Sequence, residues 1–233
     1  PGVFRSALEE DAELEAGDSG DSGDEVGLQT AVPRDGEGAL GATSANGVNT
    51  SDDDDSASQV ARVLEVGCGT GCISLSIAAE RPEHTCCVAI DIAPRAVALS
   101  IRNRDALGIA PDVVDVRLGN LVSPLNRETE WGTFDVLVSN PPYIPTSVMG
   151  NLPHEVADYE PALALDGGED GLDIFRRLVN AAPHMLKPGG LLACELYEGH
   201  LDQAASLCRA AGTREVRVVH DLTNRPRIIL ARV

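Results

Sequence analysis

Lysine is almost missing: Lys187 is the sole one in 233 residues, and all basic side chains number 18 against 37 acidic ones, for a formal charge of −19. A protein that holds nucleic acid by bulk charge needs clustered Lys and Arg opposite the phosphates, so this composition argues against such a scaffold. Long hydrophobic runs are also missing. No apolar stretch reaches the roughly 18 residues of a membrane helix, and the opening PGVFRSALEEDAE lacks the basic-then-apolar layout of a secretory leader. A membrane partner is not expected. The six cysteines form no CxxC pair, and Cys72, Cys86, Cys87 and Cys194 lie inside apolar runs. That pattern predicts buried free thiols in a reducing compartment rather than zinc or a disulfide framework. His84, His154, His184, His200 and His220 show no ligand spacing, so no metal is expected. No G-x-S-x-G elbow is present, which removes that hydrolase reading.

What is present divides the chain in two. Residues 1–59 hold fifteen acids and two Arg, ending in Ser51-Asp52-Asp53-Asp54-Asp55-Ser56, while residues 60–233 are only mildly acidic. The first part has too little apolar surface to offset the entropy of ordering it. We expect a disordered acidic segment over 1–59 and one domain over 60–233. The segment reads as a solvated linker, with a partner-binding tail or phosphorylation at Ser51 and Ser56 as alternatives.

From Ala61 the pattern repeats strand, turn, helix. Strands are expected over 62–66, 86–90, 113–118, 134–139 and 191–196, and a final pair over 215–220 and 227–232. Helices are expected over 72–80, 94–107, 172–186 and 201–211, with Ile73, Leu75 and Ile77 toward the sheet and Lys187-Pro188-Gly189-Gly190 ending the third helix. Apolar strands alternating with helices predict an α/β fold, Rossmann-like, with a mostly parallel twisted sheet covered on both faces. The last two strands have no helix between them, so one of them runs antiparallel. Ligands in such folds bind beyond the carboxyl ends of the strands.

The informative residues fall there. Gly67, Gly69 and Gly71 sit between a strand and a helix, where glycine permits a sharp turn and close approach to backbone amides. Tight strand-to-helix packing explains the same glycines without a ligand. Asp91, about twenty positions on, could accept both hydroxyls of a ribose, so the two features together suggest an adenosine-containing cofactor. The third glycine comes one residue earlier than in dinucleotide sites, and Glu65 precedes the loop. Glu65-Val66-Gly67-Cys68-Gly69-Thr70-Gly71 resembles the cofactor loop of class I S-adenosylmethionine methyltransferases. Glu65 either serves that cofactor or is a satisfied strand-end carboxylate. Asn120-Leu121 stands where adenine would lie: the amide could accept from the exocyclic amine and donate to a ring nitrogen, and Leu121 could cover the ring. A plain turn before Pro124 is the alternative.

Asn140-Pro141-Pro142-Tyr143, directly after a buried strand, is the most specific signal. An amide or aromatic amine nitrogen is a poor nucleophile because its lone pair is delocalised, and a methyl sulfonium needs no acid to leave. What remains for a protein is aim and the exclusion of water. The Asn140 side-chain oxygen and the Pro141 carbonyl can each accept one N–H of a planar NH₂. Pro141 and Pro142 stiffen the corner and hold Asn140 extended. Tyr143 can pack on the flat group.

Together these segments resemble one family. Residues 65–76 (EVGCGTGCISLS), Asp91, 139–145 (SNPPYIP), 159–172 (YEPALALDGGEDGL), 187–192 (KPGGLL) and 221–227 (DLTNRPR) are similar to the HemK/PrmC family of release factor glutamine methyltransferases. The resemblance implies a class I methyltransferase fold, S-adenosyl-L-methionine as cofactor, and methylation of the glutamine amide in the Gly-Gly-Gln motif of a peptide-chain release factor. Carried over by motif, Gly67, Cys68, Gly69, Thr70, Gly71 and Asp91 hold the cofactor, and Asn140, Pro141, Pro142 and Tyr143 hold the glutamine. The family usually has an Asp and a bulky residue where this chain has Asn120-Leu121. Pro1-Gly2-Val3-Phe4 resembles the family's lead-in to a P-R-x-E-T-E motif, in whose place the acidic segment stands. Two other readings remain: a nucleic-acid exocyclic-amine methyltransferase, disfavoured by low basicity and few aromatics, and a cofactor-binding interaction subunit with little activity. The expected compartment is intracellular, cytoplasm or mitochondrion.

Overall fold

The structure is a computed structural model, and it describes residues 60–157 and 160–233. The expected acidic segment, with Ser51 and Ser56, lies outside the described residues, as does Tyr159.

The parallel half of the sheet is built from strands that are buried on both faces. β1 (Ala61–Val66) pairs in parallel with β2 (Thr85–Asp91) on one side and β4 (Phe134–Ser139) on the other. β2 carries β3 (Val114–Leu118), and β4 carries β5 (Leu186–Glu195). β7 (Pro226–Arg232) runs antiparallel to β5, and β6 (Arg214–His220) pairs antiparallel with β7 at the edge. The order is β3-β2-β1-β4-β5-β7-β6. Chain direction through the sheet reverses between β1 and β4, which places a crevice at their carboxyl ends.

Alternation along the strands sends side chains to two cores. Val63, Cys87, Ala89 and Val114 pack with Leu75 and Ala78 of α1 (Cys72–Glu80) on one face. Leu64, Val66, Val88, Ile90, Phe134 and Leu137 face α6 (Asp173–Met185) and α7 (Leu201–Ala210) on the other. Phe175, Leu178, Val179, Ala182 and Met185 follow the helical spacing of a stripe turned to a sheet. α2 (Pro94–Ala106) starts at a proline, whose fixed φ suits a first turn.

Several expectations need correction. Lys187-Pro188-Gly189-Gly190 does not simply end a helix: β5 already begins at Leu186. Leu186 pairs with Phe134 and Leu191 with Val136, so residues 187–190 bulge opposite Asp135. Lys187 Nζ closes the bulge on Asp135 at 2.7 and 2.9 Å. In α1 it is Ser74, Leu75 and Ala78 that are buried, whereas Ile73 and Ile77 are half-buried. Cys72 is exposed and Cys86 intermediate, against the expectation of buried thiols; Cys68, Cys87, Cys194 and Cys208 are buried, and all six are free. Between β4 and α6 the chain forms three one-turn helices, α3 (Thr146–Met149), α4 (His154–Ala157) and α5 (Ala162–Leu165), that four-residue periodicity cannot announce.

Candidate functional site

The glycine loop is held from behind and open in front. Gly67 N and Cys68 N both donate to Ile90 O, at 2.8 and 3.1 Å, and Gly71 N donates to Cys68 O at 2.7 Å. Gly67, Gly69 and Gly71 take φ of 73°, 54° and 79°, a region costly for any residue with a Cβ. A Cβ on Gly67 or Gly69 would meet nothing within 4 Å, so both face open space. A Cβ on Gly71 would lie 2.3 Å from Ser100 Oγ, so this glycine is demanded by contact with α2. Thr70 is exposed, and its carbonyl accepts from Asn103 Nδ2 at 2.9 Å.

Asp91, at the end of β2, reaches back to the loop. Its Oδ2 accepts from Gly69 N at 2.8 Å and its Oδ1 from Ala93 N at 2.9 Å. Each oxygen keeps a second lone pair, which is what a ribose diol needs. Glu65 is 1% exposed, and its Oε2 accepts from Ser74 N at 2.9 Å, at the N-terminus of α1. The structure thus places this carboxylate beneath the loop as a helix cap. Burial raises its pKa, hydrogen bonding to Ser74 opposes that, and the charge of Asp91 adds to the rise. Burial, with Glu65 and Asp91 behind it, pushes the Cys68 thiol up to about 12, so Cys68 is inert packing in the loop.

Asn140 begins beside this loop. Ser139 pairs with Val66 across β4 and β1, and Ser139 Oγ donates to Val66 O at 2.7 Å. The next residue of each strand is Asn140 and Gly67. Asn140 is exposed, Pro141 buried, and Pro142 and Tyr143 half-buried. The corner is therefore anchored at its prolines and free at its amide.

The sequence motifs did not reveal what braces the corner. Ile144 N donates to Leu165 O at 2.9 Å, Gly167 N to Ile144 O at 2.8 Å, and Thr146 N to Gly168 O at 2.9 Å. Asp166 Oδ1 accepts from Thr146 Oγ1 at 2.7 Å and from Gly168 N at 3.0 Å. A Cβ on Gly167 would sit 2.7 Å from Tyr143 Cα, and one on Gly171 would sit 2.4 Å from Tyr143 O. The glycines of 166–171 thus let this loop press against the Asn-Pro-Pro-Tyr backbone; the Asp-Gly-Gly and Asp-Gly dipeptides were the available signal. Glu160 and Pro161 precede α5, where Pro161 is the N-cap residue. Glu195 ends β5, and Glu198 opens the 3₁₀ turn Glu198–His200 that follows it.

Asn120 and Leu121 follow β3. Gly119 N donates to Asp91 O at 2.8 Å, which brings this turn beside Asp91. Asn120 N donates to Ser123 Oγ at 3.1 Å, and Leu121 has φ 52° and packs on the main core. Trp131 also packs on that core, which holds Phe134, and its ring lies 5.5 Å from that of His184. Gly67–Gly71, Asp91, Asn120-Leu121 and Asn140–Tyr143 thus gather at the carboxyl ends of β1, β2, β3 and β4. The loop Glu65–Gly71 carries no Lys or Arg. It suits a ligand with a cationic centre and a ribose better than a pyrophosphate. Among the described residues no group of three or more His, Cys, Asp or Glu gathers to hold a metal, and no helix is long and apolar enough to cross a membrane.

Comparison with known proteins agrees with this arrangement. Residues 51–153 match the family described as "Methyltransferase small domain". The chain is 40% identical over 171 residues to the release factor glutamine methyltransferase of Rhodospirillum rubrum, covering 73% of this chain and 50% of the relative. The Cereibacter sphaeroides protein of the same name is 40% identical over 174 residues, covering 74% and 60%. The human MTRF1L release factor glutamine methyltransferase is 32% identical over 170 residues, covering 72% and 50%. The chain spans about half of two of these relatives and three fifths of the third. In structure it resembles the N-terminal domain of human METTL16 in complex with SAH, with TM-score 0.55, 18% identity and coverage of 77% and 63%. It also resembles a methyltransferase from Pyrococcus furiosus, with TM-score 0.53, 20% identity and coverage of 75% and 76%. The fold is that of the class I methyltransferases.

Proposed function

We propose, on the premise that this core is a sequence relative of the release factor glutamine methyltransferases, that it methylates the side-chain amide nitrogen of glutamine in the Gly-Gly-Gln motif of a peptide-chain release factor. The observation that carries the reading is the placement of Asn140 one residue beyond the Ser139–Val66 hydrogen bond, beside the glycine loop. The domain reading, a methyltransferase domain over 60–233, belongs to the same proposal.

The residues present fit S-adenosylmethionine. Gly67 and Gly69 leave open space in front of the loop, Asp91 keeps lone pairs for the ribose, and the loop holds no base to repel a sulfonium. When bound, the cofactor supplies an electrophilic methyl on a good leaving group. The chain supplies position. Asn140 Oδ1 and the Pro141 carbonyl each accept one N–H of the glutamine NH₂, which fixes its plane and turns its lone pair outward. The prolines and the 165–168 brace keep those acceptors from relaxing. Such aim costs no reorganisation at the moment of reaction. Tyr143 covers the planar group and keeps water from it. No base is needed before transfer, because the nitrogen becomes strongly acidic once it gains the methyl and then passes one N–H proton to solvent, which reaches the exposed Asn140.

The test is a partition of label. The chain is incubated with S-adenosylmethionine labelled at the methyl and with a mixture of release factor and total RNA. Label on the release factor is expected; label on RNA would favour the exocyclic-amine reading instead. No label with the cofactor still bound would favour a binding subunit.

A further inference from the structure

Asn120 alone is an ambiguous reader of a purine. Its amide presents a donor and an acceptor side by side, and a half-turn about the terminal bond exchanges them. Adenine offers an N6 amine donor and an N1 acceptor; hypoxanthine offers the reverse, a 6-oxo acceptor and an N1–H donor. A freely turning Asn suits both.

This Asn is not free to turn. Arg177, on the first turns of α6, donates from Nη2 to Asn120 Oδ1 at 2.9 Å. A guanidinium has donors only, so the atom facing it must be the oxygen. The main chain at Asn120 is fixed as well, by Gly119 N on Asp91 O, by Asn120 N on Ser123 Oγ, and by Leu121 at φ 52°. Arg177 uses one lone pair of Oδ1 and leaves the second for N6, while the NH₂ remains for N1.

We infer that Arg177 is a positioning residue that locks the amide of Asn120 in the orientation complementary to adenine, and so sets selectivity for a 6-amino over a 6-oxo purine. The inference rests on the S-adenosylmethionine reading above. It concerns one side chain outside the glycine loop and the Asn-Pro-Pro-Tyr corner. Arg177 is exposed, so its replacement leaves both cores intact.

The experiment is calorimetry on the full chain with S-adenosylhomocysteine and S-inosylhomocysteine. The parent should bind the adenosyl ligand at least about tenfold tighter. Arg177→Ala should bring the two affinities within about threefold, because the released amide flips to meet either edge. Arg177→Lys, whose ammonium still only donates, should keep most of the parent ratio. Equal loss of both ligands in Arg177→Ala would mean a structural role and would overturn the inference, as would an unchanged ratio. A parent that binds both ligands equally would overturn this inference alone. A parent that binds neither would overturn the cofactor reading together with it.

Discussion

Gly69 and Gly71 lie two residues apart with similar backbone, and replacing them with alanine should do different damage. Both take positive φ, 54° and 79°, which costs a non-glycine residue about 1–2 kcal/mol. At Gly69 nothing else opposes a methyl, since no atom lies within 4 Å. At Gly71 the new Cβ would sit 2.3 Å from Ser100 Oγ and 3.2 Å from Ser100 Cβ and Leu75 Cδ1. Overpacking of that kind adds about 1–3 kcal/mol. Gly71→Ala should therefore lose roughly 2–5 kcal/mol of stability by urea denaturation, and Gly69→Ala only about 1–2. Gly69→Ala should instead weaken S-adenosylhomocysteine, because its methyl points into the open space the ligand would fill. Ser100 Oγ is buried and faces only the Cys68 thiol, a weak partner, so Ser100→Ala alone should be close to neutral. The double variant should recover about 1–2 kcal/mol relative to the sum of the singles. Equal destabilisation by the two glycine substitutions, or strict additivity with Ser100→Ala, would refute this account of the loop.

Three other outcomes follow from the site and its surroundings. Asp91→Ala should weaken S-adenosylhomocysteine by at least about tenfold in calorimetry, since it removes the proposed ribose acceptor and the partner of Gly69 N; an unchanged affinity would remove Asp91 from the site. Cys72, exposed at the start of α1, should react first with a thiol reagent near neutral pH and be protected by the ligand, while burial, which pushes the thiol pKa of Cys68 up to about 12 and that of Cys87 up to about 11, keeps both slow. Rapid labelling of Cys68 would contradict the closed back of the loop. Acid should destabilise the domain through carboxylates held below their ordinary values: Glu130 by its hydrogen bonds to Arg117, and Asp135, where burial pulls upward but Lys187 and Arg62 prevail. Their contribution is present above the unfolded carboxylate value and is lost as pH falls through the depressed folded values, so the urea midpoint should drop below about pH 4. Glu65, raised by burial, works the other way and gains as pH falls. A midpoint that rises steadily into acid would mean that Glu65 dominates.

The parts legible in the sequence are those whose cause is local. β1, β2 and β4 are short segments dominated by apolar residues, and α6 carries its core stripe at helical spacing, so their existence could be read residue by residue. The start of β5 was not legible because its first pairing, Phe134 with Leu186, skips over a bulge closed by the long-range Lys187–Asp135 pair. The exposure of Cys72 was not legible either, since an apolar run does not say which helical face meets the sheet. At the site, Gly67, Asp91 and Asn140 were readable because each sits at the carboxyl end of a strand, where the fold brings such positions together. The glycines of the 166–171 brace were visible but not their partner, because Thr146 and Asp166 lie 20 positions apart, and the Arg177–Asn120 bond joins residues 57 positions apart that no short motif links.

In the proposed reaction the corner at Asn140 aims a glutamine amide at the methyl group. Mass spectrometry of a release factor treated with the parent chain or with Asn140→Ala tests it most directly, alongside calorimetry of the ligand on both proteins. One added methyl on the glutamine side-chain nitrogen of Gly-Gly-Gln is expected with the parent, and almost none with Asn140→Ala although that variant still binds S-adenosylhomocysteine. Methylation at another atom, or an Asn140→Ala variant as active as the parent, would contradict it.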